Sequence, residues 1–543
     1  MVVTPPRAWS RWRTLLYLST ILSVLSAAIV SASPTAAVYD TDEYIRIQPE
    51  LDAVTEKRSN RTVLAYITPW NTEGTSMVDA FQDKIDMVSP VWYTVLVSPT
   101  SASGDGEEAT YVLSGGPPTD ADEQWLKRKQ QEQLRIVPRF YLDGWQQSDY
   151  AALLSTPSNW RRLADVITAE VAKRKYDGIV LESAATHLLF EPIQTLSASL
   201  KPKTLTVVLP PLCTAHSLGG AKLDRMQQSQ NAMIAQSIPQ LAQVVDYFSI
   251  MTYDMSSAGG RVSSVSGRDF PKDSPLRGAK KGSLRQPGPN TSAQWIGENI
   301  KLIQEAVRAA ARAKAIKAQK QAAAAEESED EEVERLKDPS NPFAYDDFSA
   351  QEELNEDEVE ADQKSANAVE AEDEPDELAL IRGKLLMGMP MYGYRYPLFW
   401  VDKSTGQGVP VPPPTDPYEA KELHTRSDPS SASALLPFLR APGEAVTMHT
   451  IVSLLSAHDG VILDTKQDGE GYFDYTETVT QETLHGKEAH GVKPGDQVYW
   501  RMYVPLPSTT QARLEALDDN DEVQAGVSLW ELGQASSLLL HAL

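Results

Sequence analysis

Three short segments of this chain bring aromatic rings and carboxylates together: Tyr66 to Trp70, Met251-Thr-Tyr-Asp254 and Ser528-Leu-Trp-Glu531. An aromatic face desolvates the patch of C–H bonds on a pyranose ring, and a carboxylate accepts protons from the hydroxyl and amide groups at its edge. The combination suits a saccharide. Any one ring, Tyr66 or Trp92 for instance, is by itself ordinary core, so only convergence of several at one place points to a ligand. Other chemistries have less to stand on. The eight histidines are scattered and Cys213 is the sole cysteine, so no cluster has the spacing of a metal site. No glycine-rich phosphate loop and no basic groove are present, which speaks against nucleotides and nucleic acids, and no cofactor is expected.

What must position these segments is a repeating pattern. Short apolar runs occur at Thr62 to Thr68, Met87 to Val97, Leu134 to Phe140, Gly178 to Leu181, Leu205 to Leu209, Tyr247 to Tyr253, Lys384 to Pro390 and Ala525 to Trp530. Helical periodicity fills most of the intervals: Asp120 to Gln133, Ser158 to Lys175, Phe190 to Leu200, Gln230 to Val245, Ala293 to Lys320 and Ser508 to Leu517. Strand and helix alternating eight times predict an α/β fold, a (β/α)8 TIM barrel, with an open doubly wound sheet as the alternative. In a barrel, side chains at the C-terminal strand ends meet in one cleft, and all three aromatic segments lie at such ends.

Two stretches break the rhythm. Residues 307–378 begin as a basic, alanine-rich helix and run into an acidic, low-complexity tract. From Glu326 to Glu377 there are 23 acidic and 3 basic residues, so this tract holds −20 of the formal charge of −25. The remainder is only mildly acidic. So few large apolar residues give no packed core, and the tract is expected to be a solvated, mostly disordered insertion. Residues 395–498, between strands 7 and 8, form a second, partly ordered insertion with Val446 to Leu455 and Gly471 to Tyr475 as ordered runs. Residues 38–60 are expected to be a polar, loose lead-in to a barrel over 61–541.

The N-terminus has the pattern of a targeting segment: Arg7, Arg11 and Arg13, an uncharged run from Thr14 to Val30, then small residues with a cleavage point after Ala37. A cleaved signal over 1–37 predicts a protein of the secretory pathway, secreted or in a lysosome or vacuole lumen. An uncleaved signal anchor would be its only link to a membrane. Sequons at Asn60-Arg-Thr62 and Asn290-Thr-Ser292 fit that route.

An ordered set of motifs adds to this reading: Leu64-Ala-Tyr-Ile-Thr-Pro-Trp-Asn71, Ser89-Pro-Val-Trp92, Ile136-Val-Pro-Arg139, Tyr176-Asp-Gly178, Met251-Thr-Tyr-Asp254, Gln286-Pro-Gly-Pro-Asn290, Gly388-Met-Pro-Met-Tyr-Gly393 and Gly526-Val-Ser-Leu-Trp-Glu-Leu-Gly-Gln534. Together they resemble glycoside hydrolase family 18, and within it the chitinase-domain-containing, stabilin-interacting chitinase-like proteins. The resemblance implies a barrel fold and a chitin-type or other N-acetylated oligosaccharide ligand. It implies that Tyr253 and Asp254 hydrogen-bond the N-acetyl group and that Trp530 is the platform beneath the central sugar. Tyr66, Trp70 and Trp92 become wall residues, and Glu531 meets either the ligand or a loop.

The fourth strand departs from the family pattern DGxDxDxE, whose last Glu protonates the leaving oxygen while the substrate's acetamido group attacks. Here the segment is Asp177-Gly-Ile-Val-Leu-Glu-Ser-Ala184, so the three inward positions are Val180, Glu182 and Ala184. Ala184 has no proton to give. Glu182 points to the same side, but its Cα is two residues, roughly 6.6 Å, lower in the strand. Three functions follow as expectations: a carbohydrate-binding protein that has lost glycosidase activity, an active glycosidase using Glu182 as its catalytic acid, or a scaffold for a protein partner in the secretory pathway. The plainer role for Glu182 is a carboxylate paired with Tyr253 or a nearby arginine.

Overall fold

The computed structural model describes residues 37–47, 56–98, 109–213, 222–337, 376–465, 469–480 and 493–543, with side chains of the long helix described to residue 321. Of the segment expected to be a signal over 1–37, residues up to 36, and of the acidic tract over 326–377, residues 338–375, lie outside the described residues. Among the described residues no helix is long and apolar enough to cross a membrane.

The fold is mixed α/β, built on a curled 11-stranded sheet. All eight predicted apolar runs are in it. The first strand is Val63–Ile67, the second Met87–Pro90 continued by Tyr93–Ser98, the third Arg135–Ile136 continued by Arg139–Tyr141, and the fourth Gly178–Glu182. Thr204–Leu209, Tyr247–Ile250, Leu385–Pro390 and Gly526–Trp530 are the fifth to eighth. Neighbours in this series are parallel, and the first strand pairs with both the second and the eighth. An antiparallel partner, Thr110–Gly115, extends the second strand as a hairpin.

The sequence fixes the base of the sheet through aspartates placed just before alternate strands. Asp86 accepts from the Val63 N–H at 2.7 Å, Asp177 from Ile136 at 2.8 Å and Asp246 from Leu205 at 2.8 Å. Each clips the start of one strand to its neighbour, satisfying a backbone donor that would otherwise be left at the strand end. Gly178 completes the clip at the fourth strand, since a Cβ there would lie 2.2 Å from the Thr204 carbonyl oxygen. Val180 then faces the sheet interior with Leu64, Tyr66, Met87, Val91, Val137, Val208 and Leu386. The larger core lies on the other side, between sheet and helices.

The predicted helices form at Asp120–Gln131, Pro157–Arg174, Phe190–Leu200, Arg225–Leu241, Ala293–Lys337 and Pro507–Asp518. Thr119 and Asp122 close a capping box on the first, and Thr156 with Pro157 starts the second. Two regions differ from expectation. The long helix continues to Lys337, into the start of the acidic tract expected to be mostly disordered. A shortage of large apolar residues excludes a packed core but not a helix, for which Ala, Glu and Lys have high intrinsic propensity. It is buried at Ile296, Ile300, Ile303 and Val307, while Arg312 through Gln321 are exposed.

The second difference is larger. The region between strands seven and eight is an antiparallel sheet of its own, with strands Tyr392–Asp402, Gln407–Val409, Leu435–Leu439, Glu444–Thr447, Leu463–Thr465, Glu470–Thr478 and Gln497–Val504. It carries helices at Pro417–Arg426 and Met448–Ala457. The N-terminal lead-in belongs to it: Ala37–Val38 pairs with Leu463–Asp464, and the helix Thr41–Ile47 buries Tyr44 completely. Polar composition hid the anchor residues Tyr39 and Tyr44, whose rings meet edge to face at 5.8 Å. One face of this sheet is a tyrosine layer of Tyr392, Tyr394, Tyr396, Tyr472, Tyr499 and Tyr503, and Trp530 packs against both it and the interior of the curled sheet.

Candidate functional site

Trp530 ends the eighth strand at this junction, and a cis peptide joins it to Glu531. The Tyr253 ring lies 6.1 Å from it at an interplanar angle of 14°, and the Tyr66 ring meets it edge-on at 5.2 Å. Gly388 on the seventh strand makes this possible, because a Cβ there would stand 2.8 Å from the Tyr253 ring. Three of the expected aromatic residues are thus in one cluster, but their parts differ. Tyr66 is buried, and its hydroxyl donates to Ser249 Oγ at 2.9 Å, which donates on to Ser528 at 3.1 Å. Burial raises its phenol pKa. Tyr66 is a support beneath the cluster, while Tyr253 and Trp530 are half-buried and present surface.

Asp254 follows Tyr253 with a positive φ of 59°, a conformation open to Asp because its short side chain bonds locally. Its Oδ1 accepts from the hydroxyls of Tyr392 and, at 3.0 Å, Tyr394. Burial and the Asp254 charge raise both phenols above their ordinary pKa, so they stay donors. The Asp254 N–H donates to Asn290 Oδ1 at 2.7 Å, Asn290 donates to the Tyr392 carbonyl at 3.1 Å, and the Asn290 N–H donates to Glu470 at 2.7 Å. Glu470 in turn pairs with Arg513 at 2.8 Å, both fully buried. Asn290 is therefore an interior hinge of the site, enclosed on all sides, and not a surface acceptor for a glycan as its sequon suggested.

On the fourth strand Glu182 ends the regular structure, Ser183 is buried and Ala184 is exposed in the turn beyond. Glu182 Oε2 forms an ion pair with Arg139 Nη1 at 2.8 Å, the arginine partner being supplied by the third strand. The register pairs Arg139 with the inward Val180 and Tyr141 with Glu182, and the Arg139 guanidinium sits 4.8 Å from the centre of the Tyr141 ring. The Arg139 Nε is buried without a protein acceptor. Both Glu182 and Arg139 are close enough to Tyr66 and Tyr253 to act on their phenol groups electrostatically.

The remaining expected contacts divide. Trp92 is not a wall residue: only 7% exposed, it belongs to the core between sheet and helices, because its neighbour Val91 takes the inward side. Trp70 is 62% exposed on the turn after the first strand. Glu531 holds that turn. It is buried and accepts from Asn71 Nδ2 at 2.5 Å and from the Gly533 N–H at 2.8 Å. Sequence reasoning gave no role to Arg139, Tyr141, Tyr392 or Tyr394. Arg139 and Tyr141 were reachable from strand alternation, while the two tyrosines come from a sheet whose docking nothing local encodes. Among the described residues no group of His, Cys, Asp and Glu is arranged to hold a metal.

No family model matches the chain. Its structural neighbours include chitinases. A chitinase from Chromobacterium violaceum ATCC 12472 superposes with a TM-score of 0.48 at 12% identity, covering 89% of this chain and 97% of the other. A Group IV chitinase of Ostrinia furnacalis, solved with allosamidin, has a TM-score of 0.43 at 13% identity, covering 89% and 97%. A mutant class V chitinase of Cycas revoluta, solved with (GlcNAc)3, has a TM-score of 0.45 at 10% identity, covering 89% and 98%. No residue role passes from them to this chain.

Proposed function

We propose that this protein is a chitinase-like carbohydrate-binding protein that takes up chitin-type or related N-acetylated oligosaccharides without cutting them. The observation that carries the reading is the near-parallel pair Tyr253 and Trp530 beside a fourth strand that ends at Glu182 and is followed by Ala184, which bears no ionisable group. The two rings offer an apolar plate to a pyranose face, and Asp254, aligned by two tyrosine hydroxyls, is a ready acceptor for an amide N–H. Hydrolysis by Glu182 is disfavoured by its engagement with Arg139 one strand away, which leaves no acid positioned at the height of Ala184. Titration of chitotetraose by calorimetry, with Trp530→Ala as control, tests the reading. No heat from the parent protein rejects it, and turnover of a fluorogenic chitobioside that disappears in Glu182→Gln replaces it with the glycosidase reading.

The curled sheet is read as a closed (β/α)8 barrel, supported by the first strand pairing on both sides and by the third strand pairing with the second and the fourth. Membership of the stabilin-interacting chitinase-like subfamily, entry to the secretory pathway through the N-terminal signal, glycosylation at Asn60 and recruitment of a secretory protein partner belong to the same proposal. Asn60 is exposed, as a glycan acceptor must be.

A further inference from the structure

Asp254 follows the sixth strand of the curled sheet, yet each hydrogen bond described at it leads to the second sheet. Its carboxylate takes the hydroxyls of Tyr392 and Tyr394, and its N–H goes to Asn290, which donates on to the Tyr392 carbonyl. The turn around it is bracketed in the same way. The Met255 N–H donates to the Asn290 carbonyl at 2.8 Å, and the Thr291 hydroxyl donates to the Thr252 carbonyl at 2.7 Å. Asn290 and Thr291, both fully buried, thus hold the backbone on either side of Tyr253 and Asp254, including the positive φ of Asp254.

What holds Asn290 comes from farther along the chain. Glu470, the first residue of the strand Glu470–Thr478, accepts the Asn290 N–H through Oε2, while its Oε1 accepts from Arg513 of the helix Pro507–Asp518. Arg513 also donates to the Gly469 carbonyl at 3.3 Å. Gly469 lies so close to the same segment that a Cβ there would stand 2.6 Å from Ser292 Cβ. The Glu470 and Arg513 side chains are 0% and 1% exposed, too enclosed to meet a ligand. A pair of charges this far from water costs much of what it gains, and apolar residues of similar volume often stabilise as well. What the pair does supply is direction, since a carboxylate fixed by a guanidinium presents its other oxygen to one amide N–H.

Resting on the carbohydrate-binding reading above, we propose that Glu470 and Arg513 are positioning residues for recognition of the N-acetyl group. They touch no ligand, but through Asn290 they set the place of Asp254 and Tyr253. An aromatic plate serves any pyranose face, whereas an acceptor for an amide N–H serves only the N-acetylated sugar. The pair therefore governs the choice between the two kinds of sugar.

The test measures by calorimetry the ratio of the affinities for chitotetraose and cellotetraose, which share a backbone and differ in the acetamido group. The parent should prefer chitotetraose about tenfold, the effect of one hydrogen bond to a charged group. In Glu470→Leu/Arg513→Met, which leaves no buried charge unpaired, that preference should vanish. Glu470→Gln/Arg513→Met keeps an oxygen for the Asn290 N–H and should keep the preference. Glu470→Asp keeps the charge opposite Arg513 but draws the carboxylate back from Asn290, and should lose part of it. Trp92→Phe, which should lower the melting temperature with the ratio intact, marks what a loss of stability does alone. If the Leu/Met and Asp variants keep the parent ratio, if both double variants lose it alike, or if the parent binds the two sugars equally, the positioning role is overturned while carbohydrate binding stands. If the parent binds neither sugar, both fall.

Discussion

Arg139 and Glu182 face each other across the third and fourth strands, guanidinium to carboxylate at 2.8 Å, where the sequence alone left Glu182 either a catalytic acid or a carboxylate paired with Tyr253 or a nearby arginine. The pair is mostly shielded, with side chains 13% and 20% exposed. Removing one member should leave a poorly solvated charge. Arg139→Met is expected to destabilise the protein by about 2 kcal/mol in urea titrations, below the range for a wholly buried pair because some water reaches this one. The double variant Arg139→Met/Glu182→Leu should recover more than half of that loss.

Binding should depend on the two presented rings and not on the buried one behind the sheet. Trp530→Ala is expected to weaken chitotetraose binding at least tenfold by calorimetry, and Trp92→Phe to leave it unchanged within error while lowering the melting temperature, since Trp92 is core.

If the proposed non-cutting reading holds, placing an acid beyond the exposed end of the fourth strand should introduce hydrolysis. Ala184→Glu places a carboxyl two residues beyond Glu182, and a positioned general acid contributes about 10²–10⁴-fold to a rate. Release of fluorophore from a chitobioside is expected in this variant and not in the parent. The variant should fold normally, because position 184 is exposed in a turn.

Glu531 should make stability depend on pH. Burial raises its pKa above the ordinary 4.5, against the opposing pull of hydrogen bonds from Gly533 and Asn71. The folded state therefore takes up the proton before the unfolded state does. The stabilising contribution is full below 4.5 and is lost as pH rises through the raised value. In urea midpoints measured from pH 4 to pH 8, taken as roughly spanning that window, the parent should lose stability relative to Glu531→Gln as pH increases through it.

Asn290 should carry no glycan in protein recovered from a secretory host, as read by peptide mass mapping, because its side chain is enclosed and hydrogen-bonded on both sides. Asn290→Ala should cost about 2–3 kcal/mol, since it leaves buried donors and acceptors unpaired, and should weaken sugar binding through the displaced Asp254.

Much of the frame was present in the sequence. Eight apolar runs became eight strands, six periodic stretches became six helices, and Asp177-Gly178 set the register that turns Val180 and Glu182 inward, because periodicity and glycine sterics act over a few residues. The tertiary structure decided what those residues meet. Asn71 reaches Glu531 across a separation of 460 positions, Tyr392 reaches Asp254 across 138, and Asn290 reaches Glu470 across 180. The first joins the turns after two neighbouring strands far apart in the chain, the other two depend on how a second sheet packs against the first, and no local pattern of side chains specifies either. The same holds for Trp92, whose aromatic character was plain but whose direction followed only from the interior place taken by Val91. Residue types determined which chemistry was available to this chain; packing determined which of those residues share a site.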